Sequence, residues 1–439
     1  DYTIWRKCTN KLKFDVMSDK IITSGLRVHI CRSHMKRGNI MRDLKHLIYF
    51  ESLLQEANNA LVKQACSEGK LALAYNCSYI PEPLLDIEGC FGVRLRAPGC
   101  TNPDLATYYM TNRSCPYSKS ILERAFEGGY NFISALIGQE CCTTMNRMEQ
   151  YFEYCKLIPN EKFFTACIDM PIKKGDWYAG YFRRQIEKKI LTPMKETYGV
   201  DYSEEKLMDA IERHNEICRL ITEIGSYRKL DNPTITGYEF HVIQLVTLVC
   251  PKYLIVDKLR ETAEELKTRE PDEKPDYRAK VMLVGSEIDD PEFTKLVEMC
   301  GARVVADRYC FGWLPGREEI AVQPGQHPLD ALAEHYMKIN ECPRSMGTEN
   351  IIARKQYLYD IAKEYKADGI ILQNMKFCEY WGYERAIAAK WLAEGLNVPS
   401  AIPTCQIERD YANAATGQLR TRFQAFVESL EIKKLQANG

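Results

Sequence analysis

From about residue 278 the hydrophobic pattern alternates between short continuous runs and longer stretches of helical period. Val281-Met282-Leu283-Val284-Gly285 reads as a strand, Pro291 to Cys300 as a helix, and Arg303-Val304-Val305-Ala306 as the next strand. The same rhythm predicts helices over Leu329–Ile339, Thr348–Tyr365 and Trp381–Leu392, with strands at Gly369-Ile370-Ile371-Leu372 and Val398–Ile402. Strands that alternate with helices call for a parallel sheet covered on both faces, with ligands beyond the carboxyl ends of the strands.

Residues 68–176 repeat this plan in shorter form, with strands at Leu71–Tyr75 and Phe163–Ile168 and helices at Ser118–Glu127 and Met145–Tyr154. Between the halves the pattern is almost wholly helical. Leu207, Ile211, Ile217, Leu220 and Ile224 mark one face of a helix over Glu204–Tyr227, and Tyr238–Cys250 is apolar enough for a core helix. The expected fold class is therefore α/β: two Rossmann-like or flavodoxin-like parallel-sheet domains joined by a helical segment, plus a helical N-terminal region. The boundaries fall at 1–67, 68–176, 177–277 and 278–439, and the two sheet domains show no obvious sequence repeat.

Composition narrows the functional classes. With 439 residues, 45% hydrophobic and a formal net charge of −1, the chain can bury more than one core and has no overall electrostatic reason to bind nucleic acid. Locally, residues 1–46 hold eleven Lys or Arg against four Asp, a net of +7 that suits either a solvated helical face or an acidic partner. No segment approaches the roughly 20 continuous apolar residues of a membrane helix, and the first residues lack a secretory h-region. No membrane association and a cytoplasmic location are expected.

Eighteen cysteines are the unusual feature. A long chain with abundant core residues needs no disulfide framework, so reduced thiols are expected. Cys155, Cys167, Cys218, Cys250 and Cys300 lie inside apolar patterns, where free Cys acts as a small hydrophobe. Cys100, Cys115, Cys142, Cys310, Cys342 and Cys378, with Cys141 beside Cys142, fall instead in loops or at helix starts, where backbone N–H groups stabilise a thiolate. Their separations of 15, 27, 32 and 36 residues lack the close Cys pairs of structural zinc. Thiolates arriving singly from several loops suit an iron–sulfur cubane, while Cys115 as a lone nucleophile is a further option.

Three segments, Asn112-Arg113-Ser114-Cys115, Cys142 through Thr143 and Thr144 to Arg147-Met148, and Met375-Lys376-Phe377-Cys378-Glu379, resemble in order and surroundings the cluster-binding motifs of the 2-hydroxyacyl-CoA dehydratase family. That superfamily includes the benzoyl-CoA reductases and the double-cubane cluster proteins. The stretch from Gly417 to Arg422, running on to Glu428, resembles its closing helix, so the likeness spans residues 68–439. It implies a 4Fe-4S cluster on Cys115, Cys142 and Cys378. Cys100, Cys310 and Cys342 fall where double-cubane (8Fe-9S) proteins carry extra ligands, and Arg308-Tyr309-Cys310-Phe311-Gly312 resembles that branch and the reductases. The alternative is that Cys100 and Cys310 are incidental. Cys141 can exchange roles with Cys142, because the family's Cys-Asp start is Cys-Thr here.

The resemblance implies an oxygen-sensitive subunit that reduces or dehydrates a substrate, most readily an acyl-CoA thioester. It also implies a homodimer or a heterodimer with a related subunit, and electrons from a separate ATP-hydrolysing iron–sulfur activator, since no Gly-x-x-x-x-Gly-Lys-Ser/Thr loop is present. No Gly-x-Gly-x-x-Gly run offers a nicotinamide or flavin site. Arg113, Lys376 and Glu379 are candidate catalytic groups, and Arg147 a fourth charge near the motifs. Two other readings stay open: a non-catalytic partner subunit or electron relay, and a metal-free Cys-dependent hydrolase or binding protein.

Overall fold

A computed structural model describes residues 41–140, 142–173, 175–312, 317–338, 342–396, 398–411 and 416–438, all within one unit that spans residues 38–439. The basic segment before residue 41, and Cys141, lie outside the described residues.

Among the described residues, eight parallel strands form two four-stranded sheets. The first holds β1 (Leu71–Tyr75), β2 (Cys90–Arg94), β3 (Ala135–Gln139) and β4 (Phe164–Ile168), and the second β5 (Ala279–Gly285), β6 (Ala302–Tyr309), β7 (Gly369–Met375) and β8 (Thr404–Arg409). Their orders, β2-β1-β3-β4 and β6-β5-β7-β8, are the same. The two halves thus repeat one doubly wound topology that the sequence does not display. Strands β2, β3, β5 and β7 are buried at nearly every position, as sheets covered on both faces require.

Helices α1 (Leu47–Leu53) and α2 (Ala60–Ser67) precede the first sheet; α3 (Glu82–Leu85), α4 (Ala106–Tyr109), α5 (Pro116–Phe126) and α6 (Thr143–Tyr154) connect its strands. The central segment carries α7 (Asp176–Ile186), α8 (Thr192–Tyr198), α9 (Glu204–Ser226), α10 (Gly237–Val249) and α11 (Lys252–Thr268), with a π turn at Glu187–Leu191. The second half adds α12 (Pro291–Met299), α13 (Pro328–Lys338), α14 (Thr348–Glu364), α15 (Glu379–Glu394) and α16 (Thr416–Asn438). No helix among the described residues is long and apolar enough to cross a membrane.

One edge differs from expectation. The last strand is Thr404–Arg409 and not Val398–Ile402. Pro399 and Pro403 lack the N–H groups a ladder needs, whereas Thr404–Arg409 pairs with β7 from the sheet edge, where Gln406 and Glu408 face out.

Helix α10 ties the halves together. It is apolar all round, which suits only a fully buried helix, and it shares one hydrophobic core with Ala74 and Leu136 of the first sheet and Leu283 and Ile371 of the second. Thr236 and Glu239 close its start in a capping box. Its polar side chains are satisfied: His241 meets Thr294 Oγ1 (2.8 Å) and the Ile288 carbonyl (3.1 Å), and Gln244 donates to Asp307 (3.2 Å). Asp307 in turn takes a buried ion pair from Arg228 at 2.9 Å.

A second buried pair sets an acid limit on stability. Lys252 Nζ lies 2.5 Å from both Glu82 and Asp86. Burial alone pushes the Glu82 carboxyl up, but Lys252 and His214 overcome it and hold the value down at about 2. The Glu82 contribution is therefore complete above the usual carboxylate value of 4.5 and disappears as pH falls from there through about 2. In urea titrations, Glu82→Gln is expected to weaken the protein at neutral pH, with the gap to wild type closing as pH falls through that window.

Candidate active site at the carboxyl edges of the two sheets

The carboxyl edges of both sheets place their loops around one cleft. Cys115, Cys142 and Cys378 each stand immediately before a helix, as the N-caps of α5, α6 and α15. Cys115 receives backbone N–H groups from Ser118 and Tyr117, and Cys378 one from Trp381, the contacts that stabilise a thiolate at a helix start. The three thiols lie near enough to act on one another electrostatically. Burial first, then mutual repulsion of their ionised forms, drives Cys115 up to about 12 and Cys378 well above the usual thiol value. Phe377, just before Cys378, sits in the left-handed region at φ 62°, a strained position for a bulky residue that fixes how the loop enters α15.

Cys310 and Cys342 lie close to each other, and their third neighbour is Cys77, a residue that sequence reasoning passed over. Cys100 is elsewhere. It lines a separate cavity of about 360 Å³ with Arg96, Asp289, Arg409 and Tyr411, and the charges acting on it are Glu123, Glu127 and Arg124.

Between the two sets of thiols stands Glu287, two residues past β5. Burial pushes its carboxyl up to about 8; Arg94 opposes the rise, while Cys77 and Asp289 add to it. The Cys310 thiol hydrogen-bonds it, Arg94 Nη2 lies 3.8 Å from it, and its Oε2 is buried without a hydrogen-bond partner. Glu149 is a second such acid, pushed by burial to about 8 and hydrogen-bonded by Asn76 and Cys167. It lies flat on β3 because Gly138 leaves the room, where a Cβ would collide with its carboxyl. Neither carboxyl was singled out from sequence; each follows or faces a central strand end, where ligands of doubly wound sheets gather.

Cys142 also borders an open cleft of about 620 Å³, walled by Trp177, Tyr178, Tyr181 and Tyr380, with Arg344 at its inner end. Trp177 and Tyr181 stack at 6.1 Å with 12° between planes. Arg344 is buried and reaches the carbonyls of Glu140 and Met170 at 2.7 Å, which clamps its linker to the first sheet. Arg113, Arg147 and Glu379 are exposed. Lys376 is also exposed and lies 3.6 Å from Asp410.

The donor set is chemically legible. Thiols held protonated by burial make poor nucleophiles, and metal coordination is what deprotonates such groups outright. Among the described residues no three His, Cys, Asp or Glu side chains stand close enough for a single ion. A cubane asks less of them, because it takes one thiolate per iron from different directions, and thiols at three helix starts, from both halves of the chain, fit that demand.

Fold and site together define an α/β protein of two parallel sheets with cysteine thiols from both halves gathered at the carboxyl edges. The chain belongs to the 2-hydroxyglutaryl-CoA dehydratase, D-component family, whose model matches residues 77–430. It is 25% identical to the (R)-phenyllactyl-CoA dehydratase beta subunit of Clostridium sporogenes, over 87% of this chain and 97% of that one. It is 24% identical to a putative dehydratase subunit of Escherichia coli (81% and 90%) and 22% to the beta subunit of (R)-2-hydroxyglutaryl-CoA dehydratase from Acidaminococcus fermentans (83% and 93%). A GTP-binding protein from Sulfolobus solfataricus in complex with GDP aligns over 82% of this chain and 99% of its own at 14% identity, with a TM-score of 0.22, too poor a superposition to bear on fold or ligand.

Proposed function

We propose that this chain is an iron–sulfur subunit of a 2-hydroxyacyl-CoA dehydratase-type enzyme, with a 4Fe-4S cluster on Cys115, Cys142 and Cys378. The observation that carries this reading is the convergence of three thiols, buried at Cys115 and half-buried at Cys142 and Cys378, each at a helix N-terminus, from opposite halves of the chain. When bound, the cluster supplies low-potential one-electron chemistry that no side chain can provide. The protein's own part is to hold the thiolates with backbone N–H groups, to keep water from Cys115, and to admit a substrate beside Cys142.

The cleft next to Cys142 favours a catalytic subunit over a bare electron relay. Its aromatic wall suits the apolar part of an acyl thioester, with Lys173 at the rim for an anionic carrier. The named relatives are beta subunits, so we assign a related partner subunit, and electrons delivered by a separate ATP-hydrolysing activator. Chemical analysis of anaerobically purified protein is expected to give at least about four irons per chain. Dehydration of a 2-hydroxyacyl-CoA should require partner, activator, reductant and ATP, and vanish after exposure to air. Colourless, iron-free protein from strictly anaerobic cells overturns the proposal.

A further inference from the structure

We infer that the cleft beside Cys142 is a site for an organic cation, so that the acyl group it admits ends in an ammonium head; this rests on the proposed function, which seats the substrate there. An aromatic wall by itself suits an aliphatic chain, an aryl ring or a cation. The acids set into this one make the choice. Gln139 at the end of β3 pairs with Ile168 at the end of β4, so the next residues, Glu140 and Asp169, stand on adjacent strand ends, and both line the cleft. Asp169 accepts the Tyr181 hydroxyl at 2.9 Å. That hydroxyl is pushed up from its usual value, by the Asp169 hydrogen bond first and then by burial and the charges of Asp169 and Glu140. Both carboxylates thus act on one ring of the wall.

The cations already present leave the site open. Among the described residues neither Glu140 nor Asp169 is in an ion pair. Arg344 is buried and commits Nη1 and Nη2 to the Glu140 and Met170 carbonyls, while Lys173 and Arg184 are exposed. The rings are equally uncommitted. Elsewhere aromatic faces are covered by the chain's own cations, as Arg94 covers Phe311 and Lys258 covers Tyr49. No described Lys or Arg lies over Trp177, Tyr178 or Tyr181 in this way, and Trp177 is 68% exposed.

The shape suits a compact head. Tyr178 stands at 89° to Trp177 with 5.1 Å between centroids, whereas Tyr181 is nearly parallel to it, so ring planes of two orientations meet at one corner. A cation is held by ring faces within about 6 Å, most strongly by Trp. A volume of about 620 Å³ takes a trimethylammonium-sized head with several carbons of chain. An acyl chain that ends in a carboxylate, as a glutaryl group does, meets like charge from Glu140 and Asp169 instead.

The probe is choline, with neohexyl alcohol as its uncharged carbon isostere, titrated against the full chain at fixed ionic strength while tryptophan fluorescence is recorded. Choline should bind saturably and at least about 5-fold more tightly than the alcohol. Trp177→Leu should remove the signal, and Asp169→Asn and Glu140→Gln should each weaken choline by about 3- to 10-fold, with circular dichroism confirming that the variants are folded. In the assembled enzyme, a 2-hydroxyacyl-CoA ending in trimethylammonium should show a kcat/KM at least about 5-fold above that of its tert-butyl isostere, a preference that Asp169→Asn erases. No saturable choline signal, an alcohol that binds as tightly, or choline affinity unchanged in both carboxylate variants overturns the cation site, while the proposed function, judged by iron and dehydration, stands. A choline preference in a chain that proves iron-free defeats the proposed function and keeps the cation site.

Discussion

Cys378→Ser is expected to abolish iron at the proposed site and to lower dehydration by more than about 100-fold, with the fold intact. The separation of effects comes from position. Cys378 is an N-cap in extended conformation, and Ser is among the residues most favoured there. The metal-free variant should match or exceed the metal-free wild type in urea by up to about 1 kcal/mol. Iron analysis, the visible spectrum and urea midpoints measured together check the claim; a variant that keeps its iron contradicts the assignment of Cys378 as a ligand. Cys142→Ser, also at an extended N-cap, should behave alike.

Arg94→Met should be the most damaging single change away from the thiols, at about 3–5 kcal/mol of unfolding free energy. The guanidinium is 2% exposed and serves both halves at once. It donates to Ser78 Oγ and the Cys310 carbonyl at 2.5 Å and lies over the Phe311 ring at 3.9 Å. Methionine keeps part of the volume and restores none of the donors, which leaves the Cys310 carbonyl and the Ser78 hydroxyl with only each other and Glu287 without its nearby cation. Urea denaturation of metal-free protein measures the loss. A cost below about 1 kcal/mol, the scale of one ordinary hydrogen bond, contradicts the view that Arg94 joins the halves.

The second half of the fold was legible because β5 and β7 carry the continuous apolar runs Val281-Met282-Leu283-Val284 and Ile370-Ile371-Leu372 and the helices between them keep a clean period. The first half was less so. In β2 the sequence Cys-Phe-Gly-Val-Arg sets a glycine and a charge inside a strand, and the charge is tolerated because Arg94 finds the Ser78 hydroxyl beside it and the Cys310 carbonyl from the other half. Propensity cannot register a partner more than 200 residues away. Strand β3, Ala-Leu-Ile-Gly-Gln, is short and carries the glycine that makes room for Glu149. For the site, local motifs surrounded Cys115, Cys142 and Cys378. Cys77 sits in Asn76-Cys77-Ser78-Tyr79, and what distinguishes it is its place at the end of a central strand. Cys100 has an inviting turn, Ala97-Pro98-Gly99-Cys100, yet Arg124 reaches the Pro98 carbonyl at 2.5 and 3.1 Å and holds that loop over another cavity. The identity of the two strand orders could not be read from composition at all, because topology is conserved by packing and the residues that pack differ between halves.

Crossing of the thiols between halves has a consequence for how the protein is made. During synthesis Cys115 and Cys142 emerge early, but Cys378 follows more than 200 residues later, beyond all of the central helices. The set of Cys115, Cys142 and Cys378 cannot be completed on a nascent chain whose second sheet is still inside the ribosome. Under the proposed function, metal loading is thereby coupled to arrival of the last third of the polypeptide, and a prematurely terminated chain would leave the ribosome without the proposed site.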